Sequence, residues 1–395
     1  MASTYDLIVV GGGIVGCGIV ERLRGELSRV CLVEQGPRLG SGASSAAIGG
    51  INPHLGDDCM GPLGLMAQHS RELFPAWIDR IASVSERAIP LLPTGLLQVA
   101  ADEKELDRLA NEVMPVLAGR GLGAELLDAR QARAKEPLLG PGVAGGLFQP
   151  ADLAVEPPLI MDALSRILTG PGGPELLLDT TVTAVETGAA DVTVVLADGR
   201  TLTADRVVIA AGHLSRHLLG LPEDVLFPIK GQALEFAPRP GRALSVQCDS
   251  LVVDDAGEHV VFAVPRPDGR IAAGVTFEVG VDDTVPTEEA RRTNLHHLSL
   301  IFGDLASAPV TRVWAGIRPG TRDAVPVLGH VDADRRILAA TGHYGMGITL
   351  APVTIDLAAK LLLGLPVTDD DQRDLDITRP DRFDQGGPSW ARPTI

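Results

Sequence analysis

The stretch DLIVVGGGIVG, residues 6–16, decides how the rest of the chain is interpreted. Residues 7–10 form an apolar run that predicts a buried β-strand, and a helical period begins after the glycines. Gly11, Gly13 and Gly16 stand at the GxGxxG positions of a strand–turn–helix unit. In such a unit the first glycine permits a tight turn, the second lets the backbone approach a pyrophosphate, and the third lets the helix pack on the strand. The stretch therefore predicts a dinucleotide-binding turn, with the N-terminus of a helix facing the phosphates.

A second predicted strand, residues 29–33, supports this interpretation. It ends at Glu34, roughly 20 residues after the glycines, where a carboxylate accepts hydrogen bonds from a ribose. The alternative is a glycine turn in an α/β domain that binds no nucleotide, and the position of Glu34 favours the nucleotide. Small residues fill much of positions 36–51. We expect the hydroxyls of Ser44 and Ser45 to close over a phosphate or an isoalloxazine ring, with a flexible loop as the alternative.

Composition and charge exclude several classes of protein. A chain of 395 residues suggests two or more domains, and 45% hydrophobic residues with 22% charged residues allow a large core. A formal net charge of -17 argues against nucleic acid or an anionic membrane as partner, since both require a basic face. The aromatic content of 3% leaves few platforms on which nucleic-acid bases could stack.

The cysteines and the apolar runs bear on the cellular location. Cys17, Cys31, Cys59 and Cys248 show no CxxC spacing, so we expect buried thiols in a reducing compartment, with neither a disulfide nor a metal site. No charged segment followed by an apolar stretch and a cleavage site precedes the first strand, and no apolar run reaches transmembrane length. The predicted location is cytoplasmic.

Two later apolar runs, residues 206–212 and 337–342, also end in glycine. They predict parallel strands that deliver loops to the same ligand. The loop after the second run leads into a predicted helix over residues 348–363, whose positive end would face that ligand. Residues 227–278 alternate in polarity and predict an antiparallel sheet in a separate substrate domain.

Several blocks in this order resemble the FAD-dependent amine oxidases of the D-amino acid oxidase superfamily, and especially the glycine oxidases. The similarity extends from Tyr5 to about Leu363. Beyond the glycine turn and Glu34, the blocks that carry it are residues 44–47, 155–157, 228–231, 264–266, 314–321 and 342–348.

The resemblance implies an α/β fold with noncontiguous domains. A Rossmann-like FAD-binding domain of the glutathione-reductase type would be assembled from residues 1–84, 146–222 and 305–368. An inserted α+β substrate domain, built on an antiparallel sheet, would comprise residues 85–145 and 223–304. Residues 369–395 are expected to form an extended, solvated tail.

The resemblance also implies a noncovalent FAD. It places the pyrophosphate on the glycine turn, the adenosine ribose on Glu34, the adenine edge near Val182 and the flavin ring near the later loops. The residues expected to contact FAD are Gly11, Gly13, Ile14, Val15, Gly16, Glu34, Gln35, Ser44, Ser45, Gly49, Gly50, Val182, Ala211, Gly212, Gly316, Arg318, His343, Gly345, Met346, Gly347 and Ile348.

The expected substrate site comprises Arg318, Phe262, Tyr344 and Gly345. Arg318 matches the family arginine that binds the substrate carboxylate, and a planar guanidinium suits this role because it can donate two parallel hydrogen bonds. The alternative for Arg318 is a structural ion pair, which is the interpretation we favour for Arg322.

Departures from related families affect the predicted specificity. Glycine oxidases carry a tyrosine at the position of Phe262 and an arginine at that of Gly345. Sarcosine oxidases carry a flavin-binding cysteine at the position of Gly316 and an oxygen-activating lysine at that of Ala272. The group that activates oxygen here is therefore left open.

The resemblance implies an oxidase of a glycine-type amine. We expect an N-substituted glycine, converted with molecular oxygen to glyoxylate, the released amine and hydrogen peroxide. N-carboxymethyl β-amino acids of macrolactam antibiotic biosynthesis are the specific expectation. The alternatives are the glycine oxidase of thiamine biosynthesis, a D-amino acid oxidase, a flavin dehydrogenase and a noncatalytic flavoprotein subunit. A homo-oligomer is left open.

Overall fold

The computed structural model describes residues 5–55, 61–254 and 257–383. Cys59 and residues 384–395 of the predicted tail lie outside these ranges. The strands are β1 (Tyr5–Val10), β2 (Val30–Val33), β3 (Gly50–Ile51), β4 (Leu96–Ala100), β5 (Glu125–Asp128), β6 (Gly145–Gln149), β7 (Leu153–Ala154), β8 (Glu175–Leu177), β9 (Val182–Thr187), β10 (Val192–Leu196), β11 (Thr201–Ile209), β12 (Leu226–Phe236), β13 (Gln247–Asp254), β14 (Gly257–Pro265), β15 (Ile271–Gly274), β16 (Glu278–Val279), β17 (Val310–Thr321), β18 (Val327–His330) and β19 (Ile337–Thr341).

The helices surround two large sheets. They are α1 (Ile14–Arg22), α2 (Ala43–Ala46), α3 (Pro62–Ser85), α4 (Glu103–Arg108), α5 (Met114–Gly119), α6 (Ala129–Lys135), α7 (Pro157–Thr169), α8 (Ser215–Leu219), α9 (Glu288–Ile301), α10 (Ala351–Leu363) and α11 (Asp369–Thr378). A π-helical turn, Leu109–Val113, joins α4 to α5. None of the described helices is long and apolar enough to cross a membrane.

The first sheet contains the predicted parallel strands. Its order is β18-β19-β11-β1-β2-β8, with β10 paired to β11 and β9 paired to β10. Strands β2, β1, β11 and β19 run parallel, which confirms the prediction for residues 206–212 and 337–342. Apolar residues of α1, α3, α7 and α10 cover one face in a single core. Because the carboxyl ends of these strands share one edge, their loops meet there.

The second sheet has nine strands and is largely antiparallel, as predicted for residues 227–278. Its order is β16-β12-β15-β14-β13-β4-β6-β5, with β17 paired to β12. Only the β13–β4 pair is parallel among the pairs described for this sheet. One face, which includes Leu97 and Val261, shares a core with α9. The opposite face presents Leu96, Phe262 and Val264 toward Ile48 and Leu55, which follow the glycine turn in the chain.

Two strands do not follow the predicted domain limits. We assigned residues 146–149 and 310–321 to the FAD-binding domain, but β6 and β17 belong to the second sheet. Their partners, β4 and β12, are distant in sequence, so local composition gives no sign of this pairing. The consequence is that Arg318 lies on the second sheet.

The predicted extended tail is wrong for residues 369–383. Thr368 caps α11 by accepting from the Asp371 N–H, and the Asp371 side chain accepts in return from the Thr368 N–H. Asp371 is buried and accepts from Lys360 Nζ at 2.7 Å. The acidic run suggests a solvated segment, whereas capping and a buried ion pair stabilise a helix. A 3-10 turn, Pro380–Phe383, follows.

Two smaller differences concern the ligand loops. Ser44 and Ser45 lie in the short helix α2 and not in a flexible loop. The helix predicted from residue 348 begins at Ala351, because Tyr344–Met346 forms a 3-10 turn and the Leu350 N–H bonds to the Met346 carbonyl.

Candidate active site

A cavity of about 1780 Å³ extends from the carboxyl edge of the first sheet to the second sheet. All but one of the predicted site residues line it, and the exception is Gly16. The lining includes Gly11, Gly13, Ile14, Val15, Glu34, Gln35, Ser44, Ser45, Gly49, Gly50, Val182, Ala211, Gly212, Phe262, Gly316, Arg318, His343, Tyr344, Gly345, Met346, Gly347 and Ile348. The fold therefore brings residues from both sheets to one site.

The glycine turn has no room for side chains where the backbone must be close. Gly11 has φ of 110°, and a Cβ there would lie 2.4 Å from the Ala210 carbonyl oxygen. A Cβ on Gly16 would lie 2.0 Å from the Gly11 carbonyl oxygen, which explains why Gly16 packs the helix on the strand without lining the cavity. Gly13 does line it, and the adjacent Ile14 N–H donates to Ser44 Oγ at 2.9 Å. The turn thus presents backbone to the cavity at the N-terminus of α1, as a phosphate-binding turn requires.

Glu34 lies at the end of β2 with both carboxylate oxygens held by backbone. Oε2 accepts from the Gly12 N–H at 2.6 Å, and Oε1 accepts from the Gly36 N–H at 2.7 Å. Oε1 also accepts from Ser41 Oγ at 3.4 Å, whereas Oε2 has a second lone pair with which it can accept from a ribose hydroxyl. Gln35 and Val182 line the cavity beside this carboxylate, where an adenosine would lie.

The loop after α2 is pressed against the second sheet. Gly49 has φ of 91°, and a Cβ there would lie 2.0 Å from the Val155 carbonyl oxygen. A Cβ on Gly50 would lie 2.5 Å from Phe262 Cζ. Two side chains of the second sheet fix the same loop: Arg266 Nη1 donates to the Ile48 carbonyl at 2.9 Å, and Trp314 Nε1 donates to the Ala46 carbonyl at 2.8 Å. Arg266 and Trp314 lie in the blocks 264–266 and 314–321, but no role was predicted for either side chain.

The loop after β19 approaches the cavity from the other side. Tyr344 has φ of 48°, and the Met346 N–H donates to the His343 carbonyl at 2.9 Å. His343 is buried, which lowers its pKa to about 4, and its Nε2 lies 3.0 Å from Thr354 Oγ1. This histidine is therefore neutral and positions the loop. On the neighbouring strand end, Thr341 Oγ1 donates to the Gly212 carbonyl at 2.8 Å.

Arg318 projects from β17 into the cavity. Its Nη1 donates to the Thr276 carbonyl at 2.9 Å, and its Cζ lies 4.4 Å from the centre of the Phe277 ring. Burial lowers the pKa of Arg318 to about 10, while Tyr344 and Glu278 act in the opposite direction. The guanidinium is thus still charged at neutral pH.

The alternative of a structural ion pair fails for Arg318 within the described residues. No described carboxylate forms a salt bridge with its guanidinium, which donates a hydrogen bond to the Thr276 carbonyl. Arg322, in contrast, donates to the Asp224 carboxylate, as expected of a structural pair. A half-buried cation that forms no salt bridge within the described residues fits an anionic ligand.

Two glycines surround Arg318 and one of them was not predicted. A Cβ on Gly231 of β12 would lie 2.2 Å from Arg318 Nη1, so only glycine leaves space for the guanidinium. The block 228–231 was the available sequence signal for it. At Gly345 the nearest atoms to a Cβ are Cδ and Nε of Arg318 at 3.9 Å, which leaves this position open. Gly316, in turn, packs on Ala46, whose Cβ would be 2.4 Å from an added Cβ.

The residues present fit FAD along its whole length. The glycine turn, the Glu34 carboxylate and the close-packed glycines at positions 49 and 50 form a continuous backbone cradle. Such a cradle, next to the carboxyl ends of parallel strands, is the arrangement that binds dinucleotides. The described cysteines, Cys17, Cys31 and Cys248, are buried and unbridged.

Comparisons with known proteins agree with this geometry. The chain is 30% identical over 368 residues to a glycine oxidase from Bacillus licheniformis, covering 93% of this chain and 95% of that protein. It is 29% identical to the bifunctional protein ThiO/ThiG of Synechocystis sp., and there it spans 53% of the relative's length. The crystal structure of glycine oxidase from Geobacillus kaustophilus superposes with a TM-score of 0.84 at 29% identity, covering 93% of this chain and 96% of that one.

The model of the DAO family, described as FAD dependent oxidoreductase, matches residues 6–361. This match covers both sheets and every loop of the candidate site. The chain belongs to the DAO family of FAD-dependent oxidoreductases.

Proposed function

We propose that this protein is an oxidase of glycine-type amines and that N-substituted glycines are its preferred substrates. The reaction is R–NH–CH₂–COO⁻ + O₂ + H₂O → R–NH₂ + OHC–COO⁻ + H₂O₂. The observation that carries the proposal is Arg318, a half-buried cation that faces the cavity and forms no salt bridge within the described residues. The similarity to glycine oxidases supports the same substrate class.

Arg318 binds and orients the substrate carboxylate. Its bond to the Thr276 carbonyl and its position over Phe277 fix the plane of the guanidinium, so further N–H groups are presented in a defined direction. A carboxylate accepts two parallel hydrogen bonds from such a group. The two hydrogen bonds hold the α-carbon at a fixed position relative to the cofactor. Such positioning increases the rate of the reaction.

When bound, FAD would supply the redox chemistry, as acceptor of the hydride from the α-carbon and as donor of two electrons to oxygen. We expect the glycine turn to hold its phosphates and Glu34 to hold its ribose. The neutral His343 does not act as a base at neutral pH, since its pKa is about 4 and it contacts Thr354.

The open space beside Arg318 supports an N-substituent. Phe262 offers a ring where related glycine oxidases offer a tyrosine hydroxyl, and Gly345 leaves the position of an arginine side chain open. Both departures remove polar groups and bulk from the pocket. A substituent on the amine nitrogen would occupy this space, which free glycine would leave unfilled.

The experiment is a peroxide assay of the flavin-containing enzyme with glycine, sarcosine, N-propylglycine, D-alanine and N-carboxymethyl-3-aminobutanoate. We expect N-propylglycine to exceed glycine in kcat/KM by about 10-fold, because added methylene groups are buried. Glyoxylate and propylamine should appear in equal amounts with peroxide. Equal or greater activity with glycine or D-alanine would overturn the preference for N-substituted substrates. Reduction of the flavin without peroxide would indicate a dehydrogenase, and no reduction by any amine would indicate a noncatalytic flavoprotein.

We also propose a cytoplasmic location. Cys17, Cys31 and Cys248 are buried free thiols, and free thiols are typical of proteins in a reducing compartment.

A further inference from the structure

Asp249 is a cavity-lining carboxyl that the reaction proposed above does not use. It lies on β13 directly opposite Phe262 of β14, and both residues line the cavity. Directly paired residues of antiparallel strands project from the same face, so Asp249 and Phe262 share the face that looks toward the flavin loops. No role was predicted for Asp249 from the sequence.

One oxygen of this carboxyl has no partner. Oδ1 of Asp249 is buried and receives no hydrogen bond from any described residue. An unpaired buried carboxyl oxygen is costly, because folding removes it from water without a replacement donor. Unpaired polar groups of this kind are uncommon in folded proteins and are found where a ligand supplies the missing bond.

The surroundings of Asp249 decide which ligand group suits it. The cavity residues of the same cluster, Val260, Phe262 and Val275, are apolar. On its other side Asp249 pairs with Gln98 of β4, whose amide oxygen accepts from Gln149 Nε2 at 3.1 Å. The charged groups that act on Asp249 are Glu105 and Arg108 of α4; burial and Glu105 raise its pKa to about 7, and Arg108 opposes them.

Arg108 does not offer a binding site for a second substrate carboxylate. Its Nε and Nη2 donate to the two oxygens of Glu105, each at 2.8 Å, so that carboxylate already holds the fork of the guanidinium. An anion next to Asp249 would face another acid, and the nearby cation, Arg108, is already paired with Glu105. A hydrogen-bond donor would instead satisfy Oδ1 directly.

We propose that Asp249 determines specificity by accepting a hydrogen bond from a donor, a hydroxyl or an ammonium group, on the N-substituent of the substrate. This rests on the proposed function, since Arg318 must hold the glycine carboxylate while the substituent extends along the second sheet. Phe262 and Val260 then contact the alkyl part of the substituent, and Asp249 binds its polar end. The substrate is thereby defined as an amphipathic N-substituted glycine with a terminal donor.

The test compares substrates that differ only in the terminal group. N-(2-hydroxyethyl)glycine, N-(3-hydroxypropyl)glycine and N-(4-hydroxybutyl)glycine are assayed beside their methyl-terminated isosteres, together with the corresponding ammonium-terminated series. The range of lengths covers different separations between Asp249 and the reacting nitrogen. At the matching length we expect the donor substrate to exceed its isostere by about 10-fold in kcat/KM, the effect of one hydrogen bond to a buried acceptor.

Asp249→Leu should abolish this preference, measured as the ratio of kcat/KM between each donor substrate and its methyl-terminated isostere. Asp249→Asn should retain the preference for the hydroxyl and lose that for the ammonium, since an amide accepts a hydrogen bond without carrying charge. It also provides the test if the leucine variant does not fold. Glu136→Gln is the matched control: it alters another buried acid, which accepts from the N–H groups of Leu138 and Ser245, and should leave the preference unchanged.

Three results would overturn the proposal: no donor preference at any length, a preference that survives in Asp249→Leu, or a preference for carboxyl-terminated substituents. If the methyl-terminated glycines are oxidised in those cases, the proposed function stands and the role of Asp249 fails. If no N-substituted glycine is oxidised, both fail.

Discussion

The cofactor end and the substrate end of the cavity are built in different ways. The cofactor end consists mainly of backbone and small residues, from Gly11 to Gly50 and in the loops after β11 and β19, on the edge of a parallel sheet. The substrate end consists of side chains from strands that are far apart in sequence, with Arg318 on β17, Phe262 on β14 and Asp249 on β13. The first arrangement tolerates little change and is shared by many enzymes. The second can change one side chain at a time, and specificity resides there.

The largest effect is expected at the cofactor end from Gly16→Val. The added Cβ would lie 2.0 Å from the Gly11 carbonyl oxygen, so α1 must move away from β1. We expect FAD affinity to fall at least about 100-fold, because overpacking at this contact displaces the phosphate-binding turn. The measurement is visible flavin absorbance after gel filtration, with FAD titration of the apoprotein.

Gly123→Ala is the matched control for Gly16→Val, since a Cβ there meets nothing within 4 Å. It should retain flavin like the wild type. Full flavin retention in Gly16→Val would show that the turn is not the rigid part of the site.

The next effect is expected from Gly231→Ala at the substrate end. The new methyl group would lie 2.2 Å from Arg318 Nη1 and must displace the guanidinium. We expect KM for N-propylglycine to rise by between about 10- and 100-fold, since one or both bonds to the carboxylate are lost. Flavin content should stay at the wild-type level. Loss of flavin in this variant would mean that the two ends are not separable.

A smaller effect is expected from Gly345→Leu, which fills the open space near Arg318. Because the nearest atoms to an added Cβ are 3.9 Å away, the substitution should fold without strain. It should lower kcat/KM for N-propylglycine by about 10-fold and change that for glycine little. Steady-state kinetics with both substrates check this, and an equal loss for both would remove position 345 from the substituent pocket.

The smallest effect concerns α11, which packs outside the cavity. His69 Nδ1 lies 2.8 Å from Asp374 Oδ2, and this contact raises the pKa of His69. Because the pKa of His69 is higher in the folded state, the contact stabilises the folded state fully below the unfolded-state pKa of about 6.5. This stabilisation is lost as the pH rises through the folded-state pKa of His69. We therefore expect Tm to fall by a few degrees between pH 6 and pH 8 in the wild type.

His69→Gln should remove this pH dependence of Tm while leaving flavin content and KM unchanged. A wild-type Tm that rises over the same pH range, or an unchanged slope in His69→Gln, would contradict the assignment.

The difference between the two ends also explains what the sequence could predict. Glycine spacing, apolar runs and Glu34 are local signals, so the parallel strands and the strand–turn–helix unit at the glycines were predicted and are confirmed. Strand pairing over long separations is not local, so the pairing of β6 and β17 with strands of the second sheet was not predicted. The roles of Gly231 and Asp249 were not predicted for the same reason. Each residue is important only because of the residues paired with it or packed on it.

The acidic segment that forms α11 shows a further limit. Its composition is that of a solvated tail, yet Asp371 and Asp374 are buried and paired with Lys360 and His69. An acidic composition suggests exposure because burying a carboxylate is usually unfavourable. Here His69 on α3 and Lys360 on α10 pair with the two carboxylates and offset that cost. The helix therefore depends on contacts that only the folded chain supplies.

The most direct test of Arg318 as the carboxylate-binding residue is anaerobic reduction of the bound flavin by N-propylglycine in Arg318→Ala, with Arg322→Ala as the control. Both variants should retain flavin, and Arg322→Ala should be bleached like the wild type and recover in air with peroxide. Arg318→Ala should require at least about 100-fold more substrate for half-maximal bleaching, since two charge-assisted hydrogen bonds are lost. Half-maximal bleaching of flavin-containing Arg318→Ala at the wild-type concentration would contradict the assignment of Arg318 as the carboxylate-binding residue.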